Sequence, residues 1–334
     1  MIGGLSLEIL IVLALVLAAE FVNGATDAPN AIATVVSTRV LSPYAAVVMA
    51  VILNAVGVLT GTAVAVTIGK GFVQQTAIDL PTIGAAMVAI VFWSGLAWRY
   101  GLPTSESHAL VASLTGAGLA VGGVDALIGV GWIKVLIGLL FSTFLGFGGG
   151  YIIVVLIGKL FRNFTPRKVG TIFGRLQLLS AGFMALSHGS NDGQKFMGVF
   201  TLTLIVGGVL PATEEFTVPW YVMIICSIMM AIGTSVGGWR IIRTMGMKMV
   251  KLQPYQGFAA ETGAASAIEL ASRLGIPVST THTISTAIMG VGAARKLSAV
   301  RWGVAFDVVA AWILTFPVCA VIGYVVAFMM SKLF

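Results

Sequence analysis

Two short polar runs, each built around an acidic residue, interrupt strongly apolar sequence. Residues 24–31 read GATDAPNA, and residues 189–195 read GSNDGQK. A carboxylate in such apolar surroundings is costly and marks a functional site. Asparagine oxygens beside it complete an oxygen-rich site that suits a hard cation such as Na⁺. The sequence therefore predicts sodium binding with Asp27 and Asp192 as the metal ligands. The full expected cation-binding set is Asn23, Asp27, Asn30, Asn191 and Asp192.

Two further runs place a proline and hydroxyl side chains at the start of an apolar helix. They read YGLPTSESHAL at 100–110 and LGIPVSTTHTI at 274–284. Proline with Ser or Thr is typical of a helix N-terminus, where free backbone N–H groups and the helix dipole attract an anion. We expect a tetrahedral oxyanion between the two helix starts, because it offers many acceptor oxygens. The expected ligands are Thr104, Ser105, Ser107, Ser279, Thr280 and Thr281, with Gln194 as a further candidate.

Simpler interpretations of these polar residues stay open. The hydroxyl side chains can merely cap kinked helices. Asp192 can pair with Lys195 as a structural ion pair, which would leave no role for a bound metal at that acid. Three other acids lie within or beside apolar sequence and are candidates for proton transfer. They are Glu20, Glu106 and Glu261.

Two histidines and two arginines occupy matching places in the two helix starts, and their roles stay open. His108 and His282 are either proton carriers or hydrogen-bonded packing residues. Arg99 and Arg273 each lie four residues before the proline. They either attract the anion or, for Arg273, form a helix ion pair with Glu269.

The composition of the chain is that of a polytopic membrane protein. Of its 334 residues, 58% are hydrophobic and only 9% are charged, whereas a soluble domain carries about a quarter charged residues. We therefore expect the cell (inner) membrane as location and the lipid bilayer as partner. The net charge of +7 is explained by basic cytoplasmic loops, and no nucleic-acid partner is predicted. Cys226 and Cys319 lie in apolar sequence and are expected to be core residues.

Apolar stretches alternate with basic loops in a way that predicts the topology. The stretches lie at roughly 5–38, 42–69, 80–98, 102–123, 132–158, 176–209, 218–238, 257–274, 276–294 and 302–331. Most are long enough to span a bilayer. The clusters of basic residues in the loops lie on one side of the membrane only if segment 257–294 enters the membrane and returns to the side from which it came. The positive-inside rule makes that side cytoplasmic. The matching hairpin, 80–123, then enters from outside, and both chain ends are extracytoplasmic.

The two halves of the chain match each other. YGLPTSESHAL aligns with LGIPVSTTHTI, and NGATD at 23–27 aligns with HGSND at 188–192. Each half has three crossings, some of them broken, and one re-entrant helical hairpin, so an odd number of crossings inverts the second copy. We predict an all-α polytopic fold with an inverted-topology repeat, typical of secondary transporters. The predicted divisions are 1–160 for the first repeat, 161–175 for a basic cytoplasmic linker and 176–334 for the second repeat.

The predicted site favours symport. Two carboxylates would repel an anion, and a bound cation at each would reverse that sign, so the anion would bind only together with its coupling ion. The chain carries no phosphate-binding glycine loop and no metal-binding His–Glu pair, so we predict neither an enzyme nor a cofactor. An ion gradient would drive alternating access around a midplane site. Two other function classes compete with a symporter, namely a channel and a membrane enzyme that acts on a phosphorylated lipid.

These motifs resemble those of the PiT family of inorganic phosphate transporters. GATDAPNA and GSNDGQKF are similar to the two copies of its Gly-Ala-Asn-Asp signature, and LPTSESH and IPVSTTH are similar to its paired hairpin tips. The resemblance implies phosphate import with Na⁺, or alternatively H⁺, as the driving ion. It implies an ion-binding core of Asp27, Asn30, Asn191 and Asp192. It also implies phosphate contacts from Thr104, Ser105, Ser279, Thr280 and Thr281.

The chain departs from that family pattern at three positions. Thr26 stands where the motif prefers Asn, Lys195 stands where the second copy would have Asn, and Glu106 stands where the second tip has Thr280. The two ion sites are therefore not expected to be equivalent. The alternative function is a proton-coupled permease for phosphate, metal–phosphate or sulfate with the same fold. A homodimer is a further expected assembly, and a compact prokaryotic member of the family is expected because the long central loop of eukaryotic members is missing.

Overall fold

The structure, a computed structural model, describes residues 6–74, 77–213 and 215–333. Over these residues the chain is helical, apart from loops and one isolated bridge between Val73 and Leu127. Helices suit a bilayer because they satisfy every backbone polar group within the segment. The predicted all-α polytopic fold is confirmed. The expectation that both chain ends face outward concerns residues 1–5 and 334, which lie outside the described residues.

The helices of the two halves follow each other in the same order. The first half contains α1 (Leu7–Ser37), α2 (Pro43–Val58), α3 (Ala63–Gly71), α4 (Leu80–Tyr100), α5 (Glu106–Gly122) and α6 (Gly129–Leu160). The second half contains α7 (Pro166–Val206), α8 (Trp220–Val236), α9 (Trp239–Ile242), α10 (Pro254–Arg273), α11 (Thr280–Arg295) and α12 (Trp302–Leu333). A π-helical segment over Arg243–Met249 extends α9.

Some crossings are single helices and others are broken. Within the described residues, α1, α4, α6, α7 and α12 are each long and apolar enough to span a membrane. The pair α2–α3 bends by 68°, and α8 bends by 62° from α9 and its π-helical extension. The prediction of one apolar span over 42–69 is therefore corrected to a broken pair. Its break is fixed from outside the segment, because the backbone N–H of Val64 donates to Gln194 Oε1 on α7 at 3.0 Å.

Two helical hairpins carry the predicted tips. A short link joins α4 to α5, and Gly101 begins it with a left-handed φ of 70°. The link between α10 and α11 contains Gly275 with a φ of 65°. Ser105 caps α5 by accepting from the His108 N–H at 3.3 Å, and Ser279 caps α11 in the same way. The predicted helix starts at both tips are confirmed.

Matching glycines mediate matching helix contacts in the two halves. Helix α1 packs on α8, where a Cβ added to Gly24 would lie 2.5 Å from the carbonyl oxygen of Met230. The corresponding helices α7 and α2 meet at Gly189, whose added Cβ would lie 2.1 Å from the carbonyl oxygen of Asn54. Only glycine permits such close approach of two helix backbones. The two contacts occupy equivalent places in the aligned halves.

The hairpins extend this correspondence across the halves. Helix α5 packs on α12 of the other half, and α11 packs on α6. A Cβ added to Gly116 on α5 would lie 1.9 Å from the carbonyl oxygen of Ala320, and one added to Gly290 on α11 would lie 2.1 Å from that of Phe147. The second helix of each hairpin therefore packs against the last helix of the other half.

The predicted basic linker over 161–175 is largely helical. Helix α7 begins at Pro166, and Thr165 caps it by accepting from the Lys168 N–H at 3.4 Å. A proline at the first helical position costs no hydrogen bond, because that N–H has no helical partner. The non-helical connection is thus only the short stretch before Pro166, and the basic residues from Arg167 onward lie on the first turns of α7.

Buried hydrophobic side chains form two clusters with polar residues between them. Helix α1 contributes Ile9–Ala19 to one cluster and Ala31–Val35 to the other. Helix α7 contributes Phe173–Ala185 to the second cluster and Phe196–Leu204 to the first. The segments left between, 23–30 and 187–195, hold the buried acids and amides. The apolar cores therefore position the polar runs in one layer within the protein.

Candidate functional site

The two acids of the polar runs lie together. Asp27 on α1 and Asp192 on α7 are both buried. Together with His188 they offer ligand atoms that all lie within 4.8 Å of one another. Both runs sit inside continuous helices, although Pro29 removes one backbone N–H donor from α1. The sequence predicted a cation ligand in each half, and the fold brings both acids into one cluster.

The tip of α11 contacts both acids through neighbouring hydroxyl groups. Thr280 Oγ1 donates to Asp192 Oδ2 at 2.6 Å, and Thr281 Oγ1 donates to Asp27 Oδ1 at 3.3 Å. Asn30 Nδ2 donates to both threonine hydroxyls, at 3.2 Å and 2.9 Å. The residues predicted to bind an anion and those predicted to bind a cation therefore share hydrogen bonds.

A buried ammonium group completes the cluster. Lys195 Nζ donates to Asp192 Oδ1, to Ser107 Oγ at 2.5 Å and to the backbone oxygen of Val278 at 2.9 Å. On the other side of the acid, His188 Nε2 lies 3.1 Å from Asp192 Oδ2. The structural ion pair between Lys195 and Asp192, left open by the sequence, is present. Asp192 is thus already neutralised in this structure, whereas Asp27 has no ammonium partner among the described residues.

The tip between α10 and α11 is anchored to α7 by one amide. Asn191 Nδ2 donates to Ser272 Oγ at 2.9 Å, and Asn191 Oδ1 accepts from the Val278 N–H at 3.3 Å. Because Val278 lies in the link and has no helical N–H partner, this amide replaces the missing helical hydrogen bond. Asn191 therefore positions the tip beside the acids.

The two tips touch each other. Ser107 Oγ, near the start of α5, donates to the Val278 carbonyl of the other tip at 2.9 Å. Thr104, Ser105 and Ser279 are buried beside this contact. A cavity of only about 10 Å³ lies between Ser107 and Ser279, which is the room one water molecule needs. The structure is therefore closed around the predicted anion site, and the tips must separate to admit an anion.

Two of the predicted ligands have partners elsewhere. Asn23 Nδ2 donates to Glu20 Oε2 at 3.1 Å, one turn back along α1, whereas Asn23 Oδ1, the atom that would bind a cation, has no hydrogen-bond partner among the described residues. Gln194, predicted as an anion ligand, instead caps the start of α3 through Val64. Its side chain lines a cavity of about 410 Å³ that also includes Thr60 and Arg273. The structure places Gln194 at the edge of the site and not between the tips.

The two histidines form an aromatic cluster behind the tips. The His108 and His282 rings lie edge to face with centroids 4.5 Å apart. His108 stacks on Phe316 at 4.4 Å and His282 stacks on Trp312 at 3.7 Å. Both rings border a largely apolar cavity of about 540 Å³ that also includes Phe144. The ring contacts are those of packing residues, but the hydrogen bonds that the second interpretation expected are missing: His108 Nδ1 and both ring nitrogens of His282 have no hydrogen-bond partner among the described residues.

The arginines lie at the margins of two crevices. Arg273 Nε donates to Glu269 Oε1 at 2.9 Å, and its side chain is 78% exposed, so the helix ion pair is present. Arg99 borders a crevice of about 490 Å³ with Trp98 and Trp239. Arg273 lines the cavity of about 410 Å³ described above, so the two arginines, which are equivalent in the aligned halves, line one crevice each. Most side chains of the Arg273 crevice are polar, whereas tryptophans line much of the Arg99 crevice. The two crevices lie beside opposite tips.

Two further buried carboxylates carry neutral hydrogen-bond donors. Glu106 accepts hydrogen bonds from Thr26 at 3.0 Å and from Ser94 at 2.7 Å. The two residues that depart from the family motif at positions 26 and 106 are therefore hydrogen-bonded to each other. Glu261 accepts from Thr34 at 2.5 Å, from Gln177 at 3.0 Å and from Ser180. Both groups are satisfied without a basic side chain.

Sequence reasoning missed two contributors to the site. The backbone oxygen of Val278 accepts from Lys195 and Ser107, and Asn54 Oδ1 lies 3.2 Å from His188 Nδ1. A backbone acceptor has no side-chain signal, although the proline before Val278 indicated an irregular link. Asn54 is an amide side chain within the apolar stretch 42–69, and this isolated polar residue was the signal that could have indicated its role.

Comparison with known proteins agrees with this arrangement. Residues 23–323 match the family model described as "Phosphate transporter family". The chain is 45% identical to a "probable low-affinity inorganic phosphate transporter" of Rhizobium meliloti (strain 1021), covering 91% of each chain. It is 37% identical to a protein of the same description from Bacillus subtilis (strain 168), covering 99% of each chain.

A solved structure has the same fold. It is described as "The sodium-dependent phosphate transporter" and superposes with a TM-score of 0.88 at 23% identity, covering 98% of this chain and all of that chain. The family match spans both polar runs and both tips. The prediction that the chain is no enzyme agrees with a family and relatives that are transporters. The chain belongs to the phosphate transporter family.

Proposed function

We propose that this protein is a secondary active symporter that imports inorganic phosphate, driven by a Na⁺ gradient. The observation that carries the proposal is the pair of hydrogen bonds from Thr280 and Thr281 to Asp192 and Asp27. Hydroxyl groups that donate to carboxylates at rest can turn to an oxyanion once a cation holds the acids. The descriptions of the relatives support phosphate as substrate, and that of the structural neighbour supports sodium.

Electrostatics explains why the anion would need a cation. Two unit charges about 4 Å apart interact by about 4 kcal/mol at an effective dielectric constant of about 20. Asp27 would therefore repel a phosphate held by Thr281 strongly, since these side chains are in direct contact. A Na⁺ beside Asp27 removes that repulsion. Phosphate and Na⁺ would then bind together and be released together.

The expected anion ligands are the hydroxyl groups and free N–H groups of the tips. Ser105 Oγ and Ser279 Oγ each accept one backbone N–H, so each hydroxyl hydrogen remains free to donate to an oxyanion. Thr104, Ser107 and Thr280 add further donors next to them. Helix N-termini favour negative charge. Neutral donors bind phosphate less tightly than several arginines would, so the phosphate can also be released.

Alternating access would proceed through the two crevices beside the tips. The tips are in contact through Ser107 and Val278, so neither crevice reaches a formed anion cavity in this state. We propose that the halves form an inverted-topology repeat, which the matching glycine contacts support, and that each tip opens toward its own crevice. The basic loops would face the cytoplasm of an inner membrane, by the positive-inside rule.

A proton-coupled permease is the second candidate function. One observation favours it, because Lys195 already neutralises Asp192 and reduces the number of acids that need a metal ion. Both candidates keep phosphate or a related oxyanion at the tips. They differ in the gradient that drives accumulation.

The test is uptake of radiolabelled phosphate by the purified protein in liposomes. An inward Na⁺ gradient at equal pH should drive accumulation, and sulfate in excess should compete poorly. Accumulation that follows only a pH gradient would assign the second candidate. Saturable, gradient-driven accumulation also excludes a channel, and absence of any phosphate accumulation under either gradient would refute the proposed function.

A further inference from the structure

Among the positions at which the two polar runs differ, one places a basic side chain beside an acid of the cation cluster. In the first polar run the residue three positions after Asp27 is Asn30, and in the second the residue three positions after Asp192 is Lys195. The two side chains thus occupy equivalent places on α1 and α7. Both are buried, Lys195 with only 1% exposure. One half therefore has a neutral amide where the other has a positive charge.

The surroundings of the Lys195 ammonium are those of a bound cation. Its three acceptors are a carboxylate oxygen of Asp192, a hydroxyl oxygen of Ser107 and the carbonyl oxygen of Val278 in the unwound link. Carboxylate, hydroxyl and unwound-backbone oxygens are the ligands with which transporters of broken-helix architecture hold Na⁺. The ammonium group occupies the position that a metal ion would take at Asp192.

The first half offers the opposite arrangement. Asn30 uses its amide nitrogen on Thr280 and Thr281, and its buried Oδ1 has no hydrogen-bond partner among the described residues. The same holds for Oδ1 of Asn23, which lies about two turns before Asn30 and about one turn before Asp27 on α1. An unpartnered buried acceptor is costly unless something satisfies it. A carboxylate and two such oxygens on one helix are suitable ligands for a metal ion.

We propose that Lys195 is a built-in substitute for one coupling ion, so that a single Na⁺, bound on the Asp27 side, accompanies each phosphate. This inference rests on the proposed function. The charge of the acid pair is then balanced by one fixed ammonium and one exchangeable ion. Because the lysine is part of the chain and is not released, its charge is not transported and adds nothing to the driving force for phosphate uptake.

The first experiment counts ions on the unaltered protein. Purified full-length protein in detergent is equilibrated with radiolabelled Na⁺ at saturating phosphate, and bound Na⁺ and bound phosphate are measured on the same sample. We expect equal amounts of the two ligands. Two Na⁺ per phosphate would overturn the inference while leaving phosphate symport intact. Phosphate binding without any Na⁺ would refute sodium coupling and, with it, the inference.

The second experiment restores the residue of the first half. In Lys195→Asn the carboxylate, hydroxyl and carbonyl oxygens would be free to hold a second Na⁺. Doubling subsaturating Na⁺ should raise phosphate uptake by the unaltered protein about twofold and uptake by Lys195→Asn about fourfold, as expected for one and two cooperating ions. Equal dependence in both proteins would contradict the inference.

Two control variants separate charge from structure. Lys195→Arg keeps the positive charge and should retain the first-order Na⁺ dependence, even if uptake is slower. Lys159→Asn removes the same charge from an exposed position at the end of α6 and should leave both the rate and its Na⁺ dependence unchanged. If Lys195→Asn does not fold, the ion count on the unaltered protein still decides the question.

Discussion

Asp27 and Asp192 meet in one buried cluster, with carboxylate oxygens within 4.8 Å of each other, although they belong to different halves of the chain. Both receive a hydroxyl hydrogen bond from the same tip, through Thr281 and Thr280. A movement of that tip therefore changes the surroundings of both acids together. This relationship gives a physical basis for coupling ion binding to anion binding.

Removal of the unpaired acid should abolish ion coupling. Asp27→Asn keeps the size and the hydrogen bond to Thr281 but removes the charge that a Na⁺ would balance. We expect stimulation of phosphate uptake by Na⁺ to fall about tenfold or more, since loss of a close opposite charge exceeds about 1.4 kcal/mol. Asp307→Asn, at an exposed position on α12, is the matched control. Full Na⁺ stimulation in Asp27→Asn would exclude this acid as the ion ligand.

The two N-cap serines should contribute to phosphate binding more than to ion binding. Each of Ser105→Ala and Ser279→Ala loses a cap, worth about 1 kcal/mol of helix stability, and a free hydroxyl donor. We expect the phosphate concentration for half-maximal uptake to rise about tenfold, with little change in the Na⁺ requirement at saturating phosphate. Threonine at either position should restore most of the affinity. An unchanged phosphate requirement would leave both serines as helix caps alone.

Helix contact through Gly150 should contribute to stability, and a neighbouring glycine supplies the control. A Cβ at Gly150 would lie 2.5 Å from the carbonyl oxygen of Ala287, whereas a Cβ at Gly148 meets nothing within 4 Å. We expect Gly150→Ala to lower thermal stability in detergent by about 1–3 kcal/mol. Gly148→Ala should be neutral or slightly stabilising. Equal melting temperatures of the two variants would show that α6 and α11 do not need this contact.

Glu261 should be important for stability because three donors depend on it. In Glu261→Leu the hydroxyl groups of Thr34 and Ser180 and the amide of Gln177 lose their acceptor, at about 1–3 kcal/mol for each buried group left unpaired. Glu261→Gln keeps an acceptor and should be much less destabilised. Glu269→Gln, which breaks only an exposed ion pair, should change stability by less than about 1 kcal/mol. Thermal unfolding of the detergent-solubilised variants provides the measurement.

Local signals in the sequence sufficed to predict the helix starts and the all-helical membrane fold. Proline and serine mark the beginning of α5 and α11, because capping depends on residues close in the chain. The polar runs were equally visible, since a buried acid conflicts with its apolar neighbours. These features needed no knowledge of distant contacts.

Features that depend on distant contacts could not be predicted. The break between α2 and α3 contains no proline, and it is held by Gln194 from α7. The apposition of Asp27 with Asp192 follows from how α1 packs on α7. The sequence favoured packing over proton transfer for the histidines only slightly, and their aromatic partners Phe316 and Trp312 come from α12. Tertiary packing decided each of these outcomes.

The exchange of hairpins between the halves has a consequence for the origin of the fold. Gly116 and Gly290 each complete their backbone contact with a helix that the other half provides. A single half on its own would leave both the glycine surface of its hairpin and the receiving surface of its last helix uncovered. The two halves together cover both surfaces at once, which is the organisation that two interlocked subunits joined by a peptide connection would have.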